Sequence, residues 1–169
     1  MKKRKRFPRA IDPARVGKYA ACCHSGGGYV WDAVLEYRVW CHPKRGAPDK
    51  AEGSDYYYAF VSYPDALRFS KKSPGAEKPL ALILQKECIL EPTPGQYAHV
   101  KKRRITEWPV VFLSRTRRKK NTIPDFLSPN APRNRLAILR GLAQKARPKK
   151  PVTARINGKR PKVEKIWDR

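Results

Sequence analysis

Residues 79–92 have the sequence PLALILQKECILEP. It begins with an unbroken apolar run, which is typical of a central strand that other elements cover on both faces. Outward from it, YVWDAVLEYRVWCH at 29–42 alternates apolar and polar side chains from Leu35 to Cys41, the period of a half-buried strand. The aromatic and β-branched run YYYAFVSY at 56–63 indicates another strand. We therefore expect these segments to form a sheet with 79–92 at its centre.

A further strand is predicted in the middle of KKRRITEWPVVFLSRTRRKK, residues 101–120. Alternation would place Trp108, Val110 and Phe112 on one face of that strand. Because Pro109 cannot donate a ladder hydrogen bond, we expect the strand at a sheet edge or at a bulge. The Lys/Arg runs on either side of it would then discourage pairing with other chains.

These segments predict an α+β fold with one small domain at residues 30–115. We expect a four- to five-stranded mixed or antiparallel sheet and one or two helices, the first of them at 64–75, where Pro and Asp open the segment and Ser-Pro-Gly ends it. Residues 1–29 are predicted to be a basic, mostly disordered arm. Residues 116–169 are predicted to be a basic extension with a helix near 131–146.

Within the C-terminal extension, a few apolar side chains stand out from a polar, proline-rich background. Ile123 and Phe126 are expected to dock back on the core. The predicted helix carries one apolar stripe, formed by Leu136, Leu139 and Leu142.

The formal net charge of +25 is concentrated at the two ends of the chain. Residues 1–30 carry +7 and residues 101–169 carry +18, whereas the basic and acidic side chains of 31–100 cancel. Such ends attract polyanions, of which nucleic acid is the commonest. A solvated tail without a fixed partner is the alternative, since charge runs alone are weakly specific. The nucleic-acid-binding candidates are Lys101, Lys102, Arg103 and Arg104, here called the first basic run, and Arg115, Arg117, Arg118, Lys119 and Lys120, here called the second basic run.

The sequence predicts neither a membrane partner nor a metal. No segment approaches the ~20 apolar residues that span a bilayer, and no apolar run of signal-peptide length follows the basic start. We therefore expect a cytoplasmic protein, with its oligomeric state left open. The cysteines Cys22, Cys23, Cys41 and Cys88 lack the C-x₂₋₄-C spacing of zinc fingers, so free thiols are expected.

Each candidate for acid–base chemistry also has a structural interpretation. His42, at a strand end, could act as a base, although a histidine before a proline is usually a loop residue. Tyr57 could position a substrate or belong to the core. Glu87 and Glu107 could supply a catalytic carboxylate, while Glu87 could simply face water. The glycine-rich HSGGGY at 24–29 could cradle an anion, but it lacks the Lys-Ser/Thr of a P-loop and fits a flexible joint.

The stretches EYRVWCHP, YYYAF, ALRFSKKSPGAEKPLALILQ, ITEWPVVFLSR, TIPDFL and NRLAILRGLA lie between Glu36 and Ala143. Together they resemble a small bacterial family whose members are identified as GNAT-type N-acetyltransferases. The resemblance implies acetyl-CoA as cofactor, with its pyrophosphate held by backbone amides of a loop that opens a helix. It implies that Arg140, Gly141 and Ala143 bind the cofactor, although Ile138 stands where the family motif has Gln or Arg.

The order of LEYRVWCHP, YYYAFVSYPDALRFS and LALILQ is also similar to that of ADP-ribosyltransferase-like folds. That likeness implies an enzyme that uses NAD. Arg38 or His42 would face NAD, Tyr57 would line the nicotinamide, and Glu87 or Glu107 would be the glutamate expected late in the fold. Three classes of function therefore remain open: acetyltransferase, ADP-ribosyltransferase-like enzyme and nucleic-acid-binding protein.

Overall fold

The structure, a computed structural model, describes residues 7–20 and 28–143. Predictions that fall on the rest of the chain, including Cys22, Cys23 and most of the glycine-rich stretch, lie outside the described residues. The strands are β1 (Ala33–Cys41), β2 (Tyr56–Phe60), β3 (Leu80–Gln85), β4 (Cys88–Thr93), β5 (Gln96–Val100) and β6 (Arg104–Pro109). The helices are α1 (Tyr63–Lys72), α2 (Thr122–Leu127) and α3 (Arg135–Leu139).

Within these residues, one antiparallel sheet of four strands has the order β2-β1-β3-β6, and β4 pairs with β5 in a separate two-stranded sheet. The predicted α+β class is confirmed. The central position of β3 agrees with its unbroken apolar run, and Ala81, Leu82 and Ile83 are fully buried. After Lys86 the run leaves this sheet and continues as β4, whose hairpin partner β5 the sequence analysis did not predict.

Strand β1 is buried on both faces, so the prediction of a half-buried strand is wrong. Tyr37 and Val39 belong to the apolar cluster beneath α1. Glu36 and Arg38, on the opposite face, are also 0% exposed. These charged side chains can be buried because they pair with each other and because residues 17–20 cover them with backbone hydrogen bonds.

Residues 7–20 contact the sheet, which differs from the mostly disordered arm predicted for 1–29. The Phe7 ring packs edge-on against an aromatic ring of α1. Backbone N–H groups of Ala10 and Ile11 donate hydrogen bonds of 2.9 Å to a carbonyl just after β2 and to one in β1. The composition of the arm is dominated by its charge, and this obscured the few apolar residues that anchor it.

Strand β6 occupies a sheet edge, as the proline in it predicted. The strand ends at Pro109, and Val110–Ser114 forms a 3₁₀ helix. The common strand face predicted for Trp108, Val110 and Phe112 is therefore wrong beyond the proline. Since proline cannot continue the ladder, the chain turns there and runs back over the sheet.

Helices α2 and α3 cover a second apolar cluster. Ile123 and Phe126 pack there with Ile89 and other residues of the hairpin region, in agreement with the predicted docking. Helix α3 spans five residues instead of 131–146. Gly141 adopts a φ of 70°, a left-handed conformation that ends the helix, and positions beyond 143 lie outside the described residues.

Candidate anion-binding site

The two basic runs flank β6 in the sequence and lie at the same end of the sheet. Arg104 pairs with Gln85, the last residue of β3, and its Nε donates to Gln85 Oε1 at 2.5 Å. The chain follows β6, turns through the 3₁₀ helix and returns, so that Arg118 Nη1 donates to Glu87 Oε1 at 2.7 Å. Because Gln85 and Glu87 are two positions apart, both basic runs converge on the end of β3.

Arg118 fixes the second basic run in place. Besides Glu87, it contacts Asp32 through Nε at 2.9 Å and Nη2 at 2.8 Å, and its backbone N–H donates to the Trp31 carbonyl. Its charge is therefore neutralised locally, while its neighbours remain free to meet a partner. The exposed cations of the two runs are Lys101, Lys102, Arg103, Arg117, Lys119 and Lys120.

A pocket of about 760 Å³ adjoins this end of the sheet. Its lining includes one arginine from each basic run, Arg104 and Arg115, together with Arg140 from the end of α3. Glu91 is the single acidic residue among the described lining residues, so the formal charge of the lining is +2. A concave site with this charge is suited to an anionic ligand.

Arg115 carries the least compensated of these charges. Its guanidinium carbon lies 4.2 Å from the centroid of Phe112 and 5.6 Å from that of Trp108, and within the described residues it forms no ion pair. Burial lowers the pKa of Arg115, and the positive charge of Arg140 lowers it further. An anion in the pocket would oppose both effects, because it would place a negative charge beside Arg115 and Arg140.

Arg140 contacts Tyr29, another residue that lines the pocket. Its guanidinium carbon lies 4.7 Å from the ring centroid of Tyr29, and Nη2 donates to the Tyr29 hydroxyl at 2.7 Å. That hydroxyl in turn donates to Glu91. Burial raises the pKa of Tyr29, and its hydrogen bond to Glu91 adds to the rise. The hydrogen bond from the Gly95 N–H lowers the pKa of Glu91, followed by the one from Tyr29, so this carboxylate stays ionised.

Gly28, which lines the pocket, stands where there is no room for a side chain. Its φ is +81°, which favours glycine, and a Cβ there would lie 2.8 Å from both Cys88 Cβ and Gln85 Nε2. The same Cβ would lie 3.2 Å from Arg104 Nη2. Glycine therefore lets the backbone pass close to the arginine without displacing it.

Three of the predicted catalytic or cofactor-binding residues, Arg38, Tyr57 and Glu107, meet in a buried network. Arg38 donates to Glu36 at 2.6 Å and to Glu107 at 2.9 Å, and its guanidinium carbon lies 4.3 Å from the ring centroid of Tyr57. Burial acts to lower the pKa of Arg38, but its hydrogen bonds to both glutamates raise it overall. The Tyr57 hydroxyl donates to the Tyr19 carbonyl, so residues of the covering segment close this network. The arrangement connects β1, β2, β6 and residues 17–20, and its catalytic role stays a prediction.

The other predicted acid–base residues lie apart from one another. His42 follows β1, with Nδ1 2.9 Å from Asp55 Oδ2 and Nε2 3.0 Å from Glu77 Oε1. Glu87 contacts His99 at 2.9 Å as well as Arg118. Glu87 thus anchors Arg118 through an ion pair, and it does not contact His42.

The residues that the resemblance assigns to acetyl-CoA are Arg140, Gly141 and Ala143. They follow α3, whereas the family's pyrophosphate loop opens a helix and presents its backbone amides. Ala143 is the last described residue of this segment, so the positions where such a helix would begin lie outside the described residues, and the cofactor assignment stays a prediction. Arg140 instead offers its side chain to the pocket described above.

No protein-family model, curated protein or solved structure matches this chain. The family resemblance therefore stays a prediction. None of the described helices is long and apolar enough to cross a bilayer.

The sequence predicted only some of the residues that line the pocket. Arg104 and Arg115 were predicted to bind nucleic acid, and Arg140 was predicted to bind acetyl-CoA. Tyr29, Glu91 and Phe112 were not predicted as binding residues. The only sequence signal for the last three is their residue type, which does not reveal that they meet.

Proposed function

We propose that the protein binds nucleic acid through the end of the sheet where the two basic runs meet. The observation that carries this proposal is the convergence of the runs, which the contacts of Arg104 and Arg118 establish. Phosphate contacts by lysine and arginine supply most non-specific affinity for nucleic acid. A fixed cluster of exposed cations can make several such contacts at once.

The pocket favours nucleic acid over other polyanions. Arginine guanidinium groups match the geometry of phosphate oxygens, and Tyr29 and Phe112 add half-buried aromatic rings to the lining. Cationic grooves that contain aromatic side chains are typical of proteins that bind single strands. A short single-stranded oligonucleotide is therefore the natural first ligand.

The test is a fluorescence-anisotropy titration of a labelled oligonucleotide with the full chain at several salt concentrations. If about six phosphates are contacted, affinity should fall roughly 10³-fold between about 50 and 200 mM salt. The variant Lys101→Gln/Lys102→Gln should bind more weakly and show a shallower dependence on salt.

The matched control is Lys71→Gln/Lys72→Gln, which removes two exposed charges from the end of α1. The preceding residue, Ser70, donates its hydroxyl to the Glu77 carbonyl, and the Glu77 N–H donates to the Trp40 carbonyl at the opposite end of the sheet. Binding should survive this change with little loss. Equal losses in the two variants, or no binding by the parent protein, would reject the proposal.

A further inference from the structure

We infer that the pocket lined by Arg104, Arg115 and Arg140 receives a terminal phosphate monoester of a nucleic-acid strand. This inference rests on the proposed function and assigns a specific ligand group to one part of the surface. The exposed cations of the basic runs would contact the backbone, and the pocket would recognise the end of the strand.

The charge of the pocket favours a monoester over a phosphodiester. The three arginines and Glu91 give the lining a formal charge of +2. A phosphate monoester carries about −1.5 to −2 at pH 7, whereas a phosphodiester within a strand carries a single charge. The terminal group is thus the better electrostatic match.

The geometry agrees with the charge. Gly141, which follows Arg140, lies so close to Arg115 that a Cβ there would be 3.6 Å from the Arg115 Cα, and Arg140 is oriented by Tyr29 and Glu91. Arg115 packs on Phe112, which holds its planar group in place, and no carboxylate among residues 7–20 and 28–143 pairs with its N–H donors. Two preoriented guanidinium groups can thus address several oxygens of one phosphate.

The volume and the shape of the pocket suit the end of a strand. At about 760 Å³ it falls within the usual size of small-ligand sites and can hold a nucleotide. A terminal nucleotide enters a concave site without forcing a continuous backbone to loop into it. The half-buried rings of Tyr29 and Phe112 offer apolar surface to the sugar or base.

The experiment compares three oligonucleotides of identical sequence, which carry a 5′-phosphate, a 3′-phosphate or hydroxyls at both ends. The full chain in a phosphate-free buffer should bind one phosphorylated form about tenfold more tightly than the hydroxyl form. A preference for either phosphorylated end supports the site and identifies which end enters. Arg115→Gln should abolish the preference, because it removes a charge that no acidic side chain in the described part of the chain compensates.

The matched control is Arg117→Gln, which removes an exposed charge of the same basic run. It should weaken all three oligonucleotides by similar factors and leave their ratio unchanged. Arg115→Lys tests geometry, since it keeps the charge but loses the planar fork, and it should retain only part of the preference.

The outcomes separate this inference from the proposed function. Equal binding of all three oligonucleotides overturns the end-recognition site and leaves nucleic-acid binding intact. Absence of binding to any of them overturns both. If Arg115→Gln does not fold, a competition experiment with the parent protein decides. A nucleoside 5′- or 3′-monophosphate should displace the phosphorylated oligonucleotide, and the unphosphorylated nucleoside should not. Equal displacement by the monophosphate and by the nucleoside would contradict the site.

Discussion

Arg38 and Glu107, 69 positions apart in the chain, form an ion pair of 2.9 Å in which both side chains are fully excluded from solvent. The pair links β1 to the edge strand β6 across the central strand β3. Glu36 completes the arrangement through its contact of 2.6 Å with Arg38. Two carboxylates thus share one buried guanidinium, and removing the arginine would take away the positive charge that both of them contact.

Replacing Arg38 with Met should lower the free energy of unfolding by about 3–5 kcal/mol, because two buried carboxylates lose their ion pair with the guanidinium. Chemical denaturation measures the change. Arg68→Met, at an exposed pair with Asp65, should change stability by less than about 0.5 kcal/mol. Adding Glu36→Gln and Glu107→Gln to the Arg38 variant should recover part of the loss. No recovery would show that packing of the arginine side chain, and not its charge, is what matters.

Arg118→Ala should lower the free energy of unfolding by about 2–3 kcal/mol. Its partners Asp32 and Glu87 are only 12% and 26% exposed, so they would keep charges that water compensates incompletely. Thermal or urea unfolding provides the measurement. The neighbouring Arg117→Ala is the control, since that side chain is exposed and should contribute within about 0.5 kcal/mol. Equal effects at the two positions would mean that Arg118 does not anchor the second basic run.

Gly28→Ala should destabilise the protein more than Gly46→Ala does. Both residues have positive φ values, +81° and +96°, so both changes incur a backbone cost of about 1 kcal/mol. The new methyl group at position 28 would also collide with Cys88 and Gln85, which adds about 1–3 kcal/mol, whereas no atom lies within 4 Å of the one at position 46. Unfolding midpoints of the two variants test this difference, and similar midpoints would contradict the close approach.

Stability should decrease at alkaline pH, partly through Tyr37. Burial raises the pKa of its phenol, whose hydroxyl donates to the Pro8 carbonyl at 2.5 Å. Above pH ~10 the unfolded chain loses this proton while the folded chain keeps it, so stability falls by up to about 1.4 kcal/mol per pH unit from this group. Burial likewise raises the pKa of the Cys41 and Cys88 thiols, so the decline begins lower, near pH ~9.

Tyr37→Phe isolates the contribution of the tyrosine. The variant should be about 1 kcal/mol less stable at neutral pH, because the Pro8 carbonyl loses its donor. Its unfolding free energy should then fall less steeply above pH 10, so that the two curves approach each other. Denaturation at a series of pH values measures this, and parallel curves would exclude Tyr37 as a titrating group.

Local sequence patterns predicted the features of the fold that depend on a single segment of the chain. The apolar run in β3 predicted its central position, and Pro109 predicted the edge position of β6, because each depends on the residues of one segment. The burial of Glu36 and Arg38 could not be predicted in this way. It depends on Glu107 and on the segment at 17–20, both remote in sequence.

The residues of the candidate site could likewise be predicted only in part from the sequence. The charge of the basic runs is evident in the sequence, and Arg104 and Arg115 were assigned to anion binding from it. The pocket also needs Arg140 and Tyr29, which lie 111 positions apart and meet only because α3 packs beside the chain leading into β1. No periodicity or motif encodes that meeting. The charge pattern therefore predicts the class of ligand, and the fold determines where it can bind.

We propose that the two basic runs, although separate in the sequence, form a single surface for nucleic acid. Titration of the ¹⁵N-labelled full chain with a short single-stranded oligonucleotide, followed through the backbone amide resonances, tests this proposal. We predict that amides of residues 101–104 and 115–120 shift together with one common affinity, while those near Lys71 and Lys72 remain unchanged. Shifts confined to one basic run, or to residues outside both runs, would contradict a shared surface.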